Sequence, residues 1–357
     1  MSRKIDAVVL VGGQGTRLRP LTLSAPKPML PTAGVPFLTH LFSRIKQAGV
    51  EHIVLGTAYQ AEVFEKHFGD GAEWGLDIDY VVEDVPLGTG GAIRNVANKL
   101  RSDTALIFNG DILSGVDLHA LLERHRTAGA DVTLHLTRVP DPRTFGCVTT
   151  DDRDRVTAFL EKDPHPVTDQ INAGTYVFNR SVVEAIPSGR PVSVERETFP
   201  GLLSDGALMM GHLDSTYWRD LGQPADFVSG SADLVLGSAP TQALPGPVGE
   251  RLVLDGATIA ATAQVIGGTS VGRDCIIGPR AIVDGAVLFD GASIGQGAIV
   301  RRSVIGTNAV IGERTTIVDA VIGDRAHVGD DNELLHGARV WPDVVLPDGS
   351  IRFSTDT

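Results

Sequence analysis

Behind the apolar run VVLV at 8–11 come three glycines, a threonine and an arginine: Gly12, Gly13, Gly15, Thr16 and Arg17 in GGQGTR. Backbone N–H groups reach a phosphate only where no side chain blocks the approach, and consecutive N–H groups in a glycine turn form a nest for an anion. A helix starting after such a turn adds its dipole, and arginine adds fixed charge with two parallel donors. These residue types in this order suit a polyphosphate cradle at the end of a buried strand. Taken alone, the loop also reads as an ordinary glycine turn with a surface arginine. Two familiar phosphate loops do not fit it. GxxxxGK[ST] is absent, and GxGxxG would need glycine where Leu18 stands.

A second cation follows in SAPKPMLP, where Pro26 and Pro28 flank Lys27. The prolines fix the backbone and forbid a helix, so the lysine is held rigidly, either toward a phosphate or as a solvated loop residue. Two aspartates have the chemistry to complement these cations: Asp111 in FNGD and Asp220 in YWRDLG. Carboxylate oxygens suit a hard cation such as Mg²⁺, although an aspartate after a strand is also a common turn or cap residue.

The elements that must position these groups fall into two styles. Through about residue 235, apolar strands (HIVLGT at 52–57, IDYVV at 78–82, ALIFNGD at 105–111, VTLHLT at 132–137, NAGTYVF at 172–178) alternate with helical spacing. Leu38, Leu41, Phe42 and Ile45 mark one helix closed by Gly49, and Leu118, Leu121 and Leu122 another closed by Gly129. Alternating β and α predicts an α/β fold with a doubly wound, mostly parallel sheet, whose ligands sit beyond the carboxyl ends of the strands. The glycine loop and FNGD both lie at such ends.

Residues 237–250, rich in Pro, Gly and small side chains, read as a linker between a catalytic domain at 1–236 and a tail at 251–357. In the tail the helical pattern vanishes. Val271, Ile277 and Val283 lie six apart, as do Leu288, Ile294 and Val300, then Ile305, Ile311 and Ile317, then Ile322, Val328, Leu334, Val340 and Leu346. Successive groups start 17 residues apart. This is the signature of a hexapeptide-repeat parallel β-helix, left-handed by its repeat type, with glycines such as Gly272, Gly295, Gly312 and Gly329 relieving its corners.

The 357 residues carry a formal charge of −13, which opposes binding to nucleic acid but not to a phosphorylated small molecule in a locally basic pocket. No apolar run reaches the length of about 18 residues that a membrane span needs, and IDAVVLV is too short for a signal peptide. Cys147 and Cys275 lie in apolar stretches and are expected to be buried, reduced thiols in a cytoplasmic protein.

GGQGTRLRPLT with PKPMLP resembles the sugar-1-phosphate nucleotidyltransferases, whose pattern GGxGTRLxPLTxxxPKPxxP is long and specific. The resemblance continues through EDVPLGTGGAI at 83–93, FNGD at 108–111, FLEKDP at 159–164, INAGTYVF at 171–178, SVERETFP at 193–200, YWRDLGQPADF at 217–227 and the coil. LGTGGAI and SVERETFP look most like the mannose-1-phosphate guanylyltransferases that carry a hexapeptide tail.

The resemblance implies transfer of a nucleotidyl group from GTP to mannose 1-phosphate, giving GDP-mannose and pyrophosphate. The nucleophile is an anionic phosphate oxygen and needs no general base; two polyanions must be brought in line and the leaving charge stabilised. The implied catalytic residues are Arg17, Lys27 and Asp111, with Mg²⁺ on Asp111 and Asp220. The implied nucleotide contacts are Gly12, Gly13, Gly15, Thr16, Arg17, Glu83, Gly88 and Thr89. Gly146, Glu161, Lys162, Asn172, Ala173 and Gly174 are implied for the sugar phosphate. Glu83 also reads as a solvated loop carboxylate, and Asn172 as a residue satisfying a strand edge. Asp163 departs from the usual FxEKP by delaying proline to Pro164, and Gly90 stands where alanine is commoner. A homo-oligomer through the β-helix is expected. Three other readings stay open: glucose 1-phosphate with UTP or dTTP, a noncatalytic regulatory homologue, and acyl transfer on the coil through His327 or His336.

Overall fold

In the computed structural model, which describes residues 5–58 and 60–352, the first apolar run forms the strand Asp6–Leu10. It lies between His52–Thr57 and Thr104–Asn109, parallel to both, and Asp77–Val82 extends the parallel set. Val8, Val54 and Ile107 are fully buried and join one core with Ile93, Tyr176, Phe178 and Phe199. Burial on both faces explains why these strands read as continuous apolar runs rather than alternating ones. Beyond Thr104–Asn109 the sheet turns antiparallel. Gln170–Asn179 pairs with it in reverse, followed by Gly146–Thr150 and Val156–Glu161, while Val132–Arg138 and Met209–Leu213 branch from Gln170–Asn179. The carboxyl ends of Asp6–Leu10, His52–Thr57 and Thr104–Asn109 open at one edge, where Gly12, Ala58 and Asp111 follow.

Helices obey the signals in the sequence. Phe37–Gln47 buries Leu38, Leu41, Phe42 and Ile45. Leu118–Ala128 starts at Asp117, whose carboxylate accepts the N–H groups of His119 and Ala120 at 2.8 and 3.1 Å, and stops at Gly129 with φ 62°.

From residue 251 the chain winds a left-handed parallel β-helix with sheets of six, six and five strands on its three faces. The hexad aliphatics Val271, Ile277, Val283, Leu288, Ile294 and Val300 stack inside with their successors up to Val340, and Leu346 packs at the edge of that core. Strand partners are 17 residues apart through the middle coils, as at Val287 beside Val304, and 18 apart at the last coil, where Val321 lies beside Arg339. The corners are tight: a Cβ on Gly312 would stand 2.5 Å from the carbonyl carbon of Gly329.

Contacts divide the chain into two compact units. One holds the sheet, with the chain up to Gly13 and Arg44–Trp218; the other holds Gln14–Ser43 together with the chain from Arg219 onward. In the second unit Leu18, Leu21 and Leu30 are buried with Phe227 and Val228 of the helix Pro224–Leu236 and with Val287, Phe289, Val304 and Val321 of the coil. Residues 237–250 are pinned there too: Thr241 Oγ1 lies 2.7 Å from His40 Nδ1, and the Gly249 N–H donates to Val235. Cys147 and Cys275 are both buried and unbridged, and burial pushes the Cys275 thiol up to about 11. Among the described residues no helix is long and apolar enough to cross a membrane.

Candidate functional site

In the first unit the glycine turn begins against Glu83. A Cβ on Gly12 would stand 3.8 Å from Glu83 Oε1, while nothing lies within 4 Å of the equivalent point on Gly13. Glu83 Oε2 accepts the Leu87 N–H at 3.0 Å. Burial raises the Glu83 pKa, and the Leu87 bond opposes it only in part. Glu83 therefore lies near Gly12 while its carboxylate holds the loop that precedes the helix Gly88–Asn95. Gly88 has φ 70°, and a side chain there would meet the Val192 carbonyl oxygen at 2.7 Å, so the close approach of that segment admits only glycine. Thr89 donates its hydroxyl to Glu195 Oε2 at 2.7 Å and accepts the Val194 N–H at 2.9 Å. Asp111 sits in the turn after Thr104–Asn109 and is partly exposed.

The residues expected at the sugar phosphate gather in the same unit. Gly146 pairs with Glu161 across two antiparallel strands, and a Cβ on Gly146 would stand 2.7 Å from Glu161 Oε2. Absence of a side chain at 146 thus leaves the carboxylate its place. The Glu161 pKa is raised, first by burial and then by the neighbouring Glu195, against the pull of Lys162 and Arg196. Lys162 is largely exposed, has φ 54°, and holds its Nζ 3.8 Å from Glu161 Oε1. Asp163 caps the turn that follows by accepting the His165 N–H at 2.8 Å. Asn172 donates to the Tyr176 hydroxyl at 2.8 Å and accepts the Gly174 N–H at 3.1 Å, where the pairing of Gln170–Asn179 with Val132–Arg138 shifts register. The Ala173 carbonyl accepts the Trp218 indole N–H at 3.0 Å. Both arms of Asn172 are thereby engaged in holding the bulge that presents Ala173 and Gly174.

The second unit holds the cations. Gly15, with φ 59°, starts the short turn Thr16–Leu18, and its carbonyl accepts the Thr22 hydroxyl at 2.9 Å. A Cβ on Gly15 would meet Thr22 Cγ2 at 2.9 Å and Lys27 Cβ at 3.1 Å. Lys27, between its prolines, is 9% exposed, and its Nζ lies 3.8 Å from Asp220 Oδ1. Arg17 is exposed at its backbone turn, but its guanidinium reaches Gly222: a Cβ there would stand 2.6 Å from Nη2 and 2.9 Å from Asp220 Oδ1. Arg17, Lys27, Asp220 and the turn at Gly15 thus share one small region of the second unit. That region holds two cations beside one carboxylate.

Four contributors were not singled out in the sequence. Gly222 gives Arg17 its room, Thr22 closes the turn at Gly15, Glu195 anchors Thr89 and acts on Glu161, and Tyr176 holds Asn172. Each lies in or beside a stretch of the family pattern, but only spatial proximity assigns it a partner.

Residues 6–235 match the family model described as Nucleotidyl transferase, and residues 248–351 match the one described as GMPPB C-terminal domain. The chain is 63% identical over 356 residues, 99% of each chain, to a mannose-1-phosphate guanylyltransferase of Mycobacterium tuberculosis. It is 36% identical over 300 residues to mannose-1-phosphate guanylyltransferase 1 of Arabidopsis thaliana, covering 80% of this chain and 79% of that one. Among solved structures, HddC of Yersinia pseudotuberculosis complexed with GMP-PN superposes with a TM-score of 0.56 at 28% identity, covering 64% of this chain and 99% of that one.

Proposed function

Because the chain belongs to the nucleotidyl transferase family, we propose that it joins GTP to mannose 1-phosphate, forming GDP-mannose and releasing pyrophosphate. The observation that carries the chemistry is the grouping of the Gly15 turn, Arg17, the buried Lys27 and Asp220. The full-length relative at 63% identity carries the choice of nucleotide and sugar.

Arg17 and Lys27 meet the triphosphate of GTP, and the N–H groups around Gly12, Gly13, Gly15 and Thr16 cradle its oxygens. Glu83 holds the loop of Gly88 and Thr89 against the glycine turn, which gives the guanine a fixed wall. Glu161 accepts hydroxyls of the sugar, Lys162 meets its phosphate, and the bulge at Asn172, Ala173 and Gly174 shapes the floor. The attacking phosphate oxygen is anionic, so the residues need only align it with the α-phosphorus and neutralise the departing pyrophosphate.

The carboxylates proposed as ligands of a divalent cation are Asp111, in the first unit, and Asp220, in the second. Their oxygens are hard ligands and suit Mg²⁺, which keeps water and phosphate oxygens in its shell. When bound, the ion screens the charge of the phosphates. A cytoplasmic setting agrees with the two unbridged cysteines. A homo-oligomer through the coil is supported by a ladder of outward side chains on one face, where Ile276, Val310 and Val345 are 56, 36 and 67% exposed. Ile276→Asp with Val310→Asp should then lower the mass seen in light scattering.

The deciding assay is pyrophosphate release with Mg²⁺, crossing GTP, UTP, dTTP, ATP and CTP with mannose 1-phosphate and glucose 1-phosphate. The proposal expects GTP with mannose 1-phosphate to be preferred. Preference for another pair would keep the mechanism and overturn the specificity, and silence with every pair would overturn the enzyme.

A further inference from the structure

On one face of the coil, the residue before each inward aliphatic forms its own ladder. Ser270, Val287, Val304, Val321 and Arg339 stand side by side in register. Their neighbours Val271, Leu288, Ile305, Ile322 and Val340 fill the interior, so alternation turns this column outward. An outward column on a coil ordinarily meets solvent, as Ile276 and Val345 do on an adjacent face. Here Val287, Val304 and Val321 are 2, 0 and 2% exposed. Leu18, Leu21 and Leu30 cover them, together with Phe227 and Val228.

Both ends of the column are polar, and each grips the covering segment. At one end Ser270 Oγ lies 3.4 Å from Ser231 Oγ, which accepts the Ala33 N–H at 2.9 Å. At the other, Arg339 Nη1 donates to the Arg19 carbonyl at 2.7 Å. Arg19 closes the turn that carries Arg17, its own N–H bonded to the Thr16 carbonyl at 3.2 Å. The stretch from Arg19 to Ala33, with Lys27 inside it, is therefore fastened at both ends and seated on valines between.

We propose that this column of the β-helix positions the cations of the reaction, with Arg339 a positioning residue that acts on Arg17 through the Arg19 carbonyl. The inference rests on the reading of Arg17 as a contact of the nucleotide phosphates. It gives the coil a part in the reaction separate from any role in oligomerisation. A side chain that stays anchored 2.7 Å from the turn also explains why a guanidinium, rather than another valine, ends the ladder.

The test is steady-state kinetics on the full-length protein carrying Arg339→Met, Arg339→Lys, Val304→Thr, Arg17→Met and the Arg17→Met/Arg339→Met pair. Arg339→Met keeps the aliphatic stem at an exposed position and removes only the donors. It should raise the KM for GTP by about tenfold, leave the KM for the sugar phosphate and the melting temperature unchanged, and be partly rescued by Arg339→Lys. The double variant should be no worse than Arg17→Met alone, because both changes disable one device. Val304→Thr, nearly isosteric, should raise the KM for GTP in the same sense. Additive losses, or wild-type kinetics in Arg339→Met, would overturn the positioning role while Arg17→Met still lowered activity. Wild-type kinetics in Arg17→Met would overturn the reading of Arg17 itself, and the inference with it.

Discussion

Lys27 Nζ lies 3.8 Å from Asp220 Oδ1, at a lysine that is only 9% exposed. A cation so far withdrawn from water is not a solubility feature; its neighbours must hold its charge until a ligand does. The two prolines around it fix the backbone that carries the side chain. Lys27→Met should therefore lower kcat/KM for GTP by about 10²–10³-fold, and Lys27→Arg should not restore it, because a planar guanidinium does not fit a site built around an ammonium. Asp220→Asn should lower kcat to a similar degree and raise the metal concentration needed for half-maximal rate. Both are read from pyrophosphate release against a metal titration, and an unchanged titration curve in Asp220→Asn would remove that residue from the metal site.

Gly222→Ala is a finer probe of the same region. The added methyl would stand 2.6 Å from Arg17 Nη2, the far end of a flexible side chain, so the arginine yields before the backbone does. The variant should keep its melting temperature and raise the KM for GTP by about tenfold. A fallen melting temperature with normal kinetics would mean that the cost is taken up by the fold and not by Arg17.

Most of this architecture was legible because its signals are local. The inward hexad aliphatics announce the coil since each must point into the same narrow interior, and burial of Val271, Ile277 and Val283 follows from their spacing alone. The strands themselves were legible for the same reason, as apolar runs stopped by glycine, although they end at Leu10 and Asn109, one and two residues short of the runs VVLV and ALIFNGD. The attachment of Gln14–Ser43 to the coil was not read, since it joins Arg19 to Arg339 across most of the chain. A signal existed in the apolar pairs Val287-Leu288, Val304-Ile305 and Val321-Ile322, where one aliphatic would suffice to fill the interior. Such pairs mark an outward apolar column but do not say whether it is covered or by what, since Ile276 before Ile277 and Val345 before Leu346 stay exposed. Glu195 was hidden differently: its segment was recognised, but its effect on Glu161 depends on folding SVERETFP toward a distant strand.

The Asp6 and His52 pair predicts how the sheet unit responds to pH. Burial alone would raise the Asp6 pKa, but bonds from His52 at 2.8 Å and from the Ser102 and Arg101 N–H groups at 2.7 Å hold it below 3.8. Burial alone would lower the His52 pKa, but its bonds to Asp6 and Asp79 hold it above 6.5. The His52 contribution is thus complete below 6.5 and is lost as pH rises through its elevated folded-state value, whereas the Asp6 contribution is complete above 3.8 and is lost in stronger acid. His52→Gln should melt lower than the wild type near pH 6, and the gap should narrow by about pH 8. Melting curves of the two proteins across that range check it, and a gap that widened toward pH 8 would refute the charged pair.

Glu161 gives the last prediction, because its environment and its proposed task pull on the same proton. Burial, and then the charge of Glu195, raise its pKa above the ordinary 4.5. If the ionised carboxylate is what accepts the sugar hydroxyls, kcat/KM for mannose 1-phosphate falls as pH drops through that raised value. Glu195→Gln keeps an oxygen for the Thr89 hydroxyl, which bonds it at 2.7 Å, and removes the like charge. Glu161 then ionises more readily, so the acid limb of the profile should move to lower pH. The second ionisation of the sugar phosphate itself is common to both proteins and cancels in their ratio. A limb that stays in place would separate Glu161 from sugar binding or Glu195 from Glu161. Glu161→Gln distinguishes the two: if the carboxylate belongs to the sugar site, only the limb of the sugar phosphate's own ionisation should remain, and if it does not, the profile should match that of the wild type.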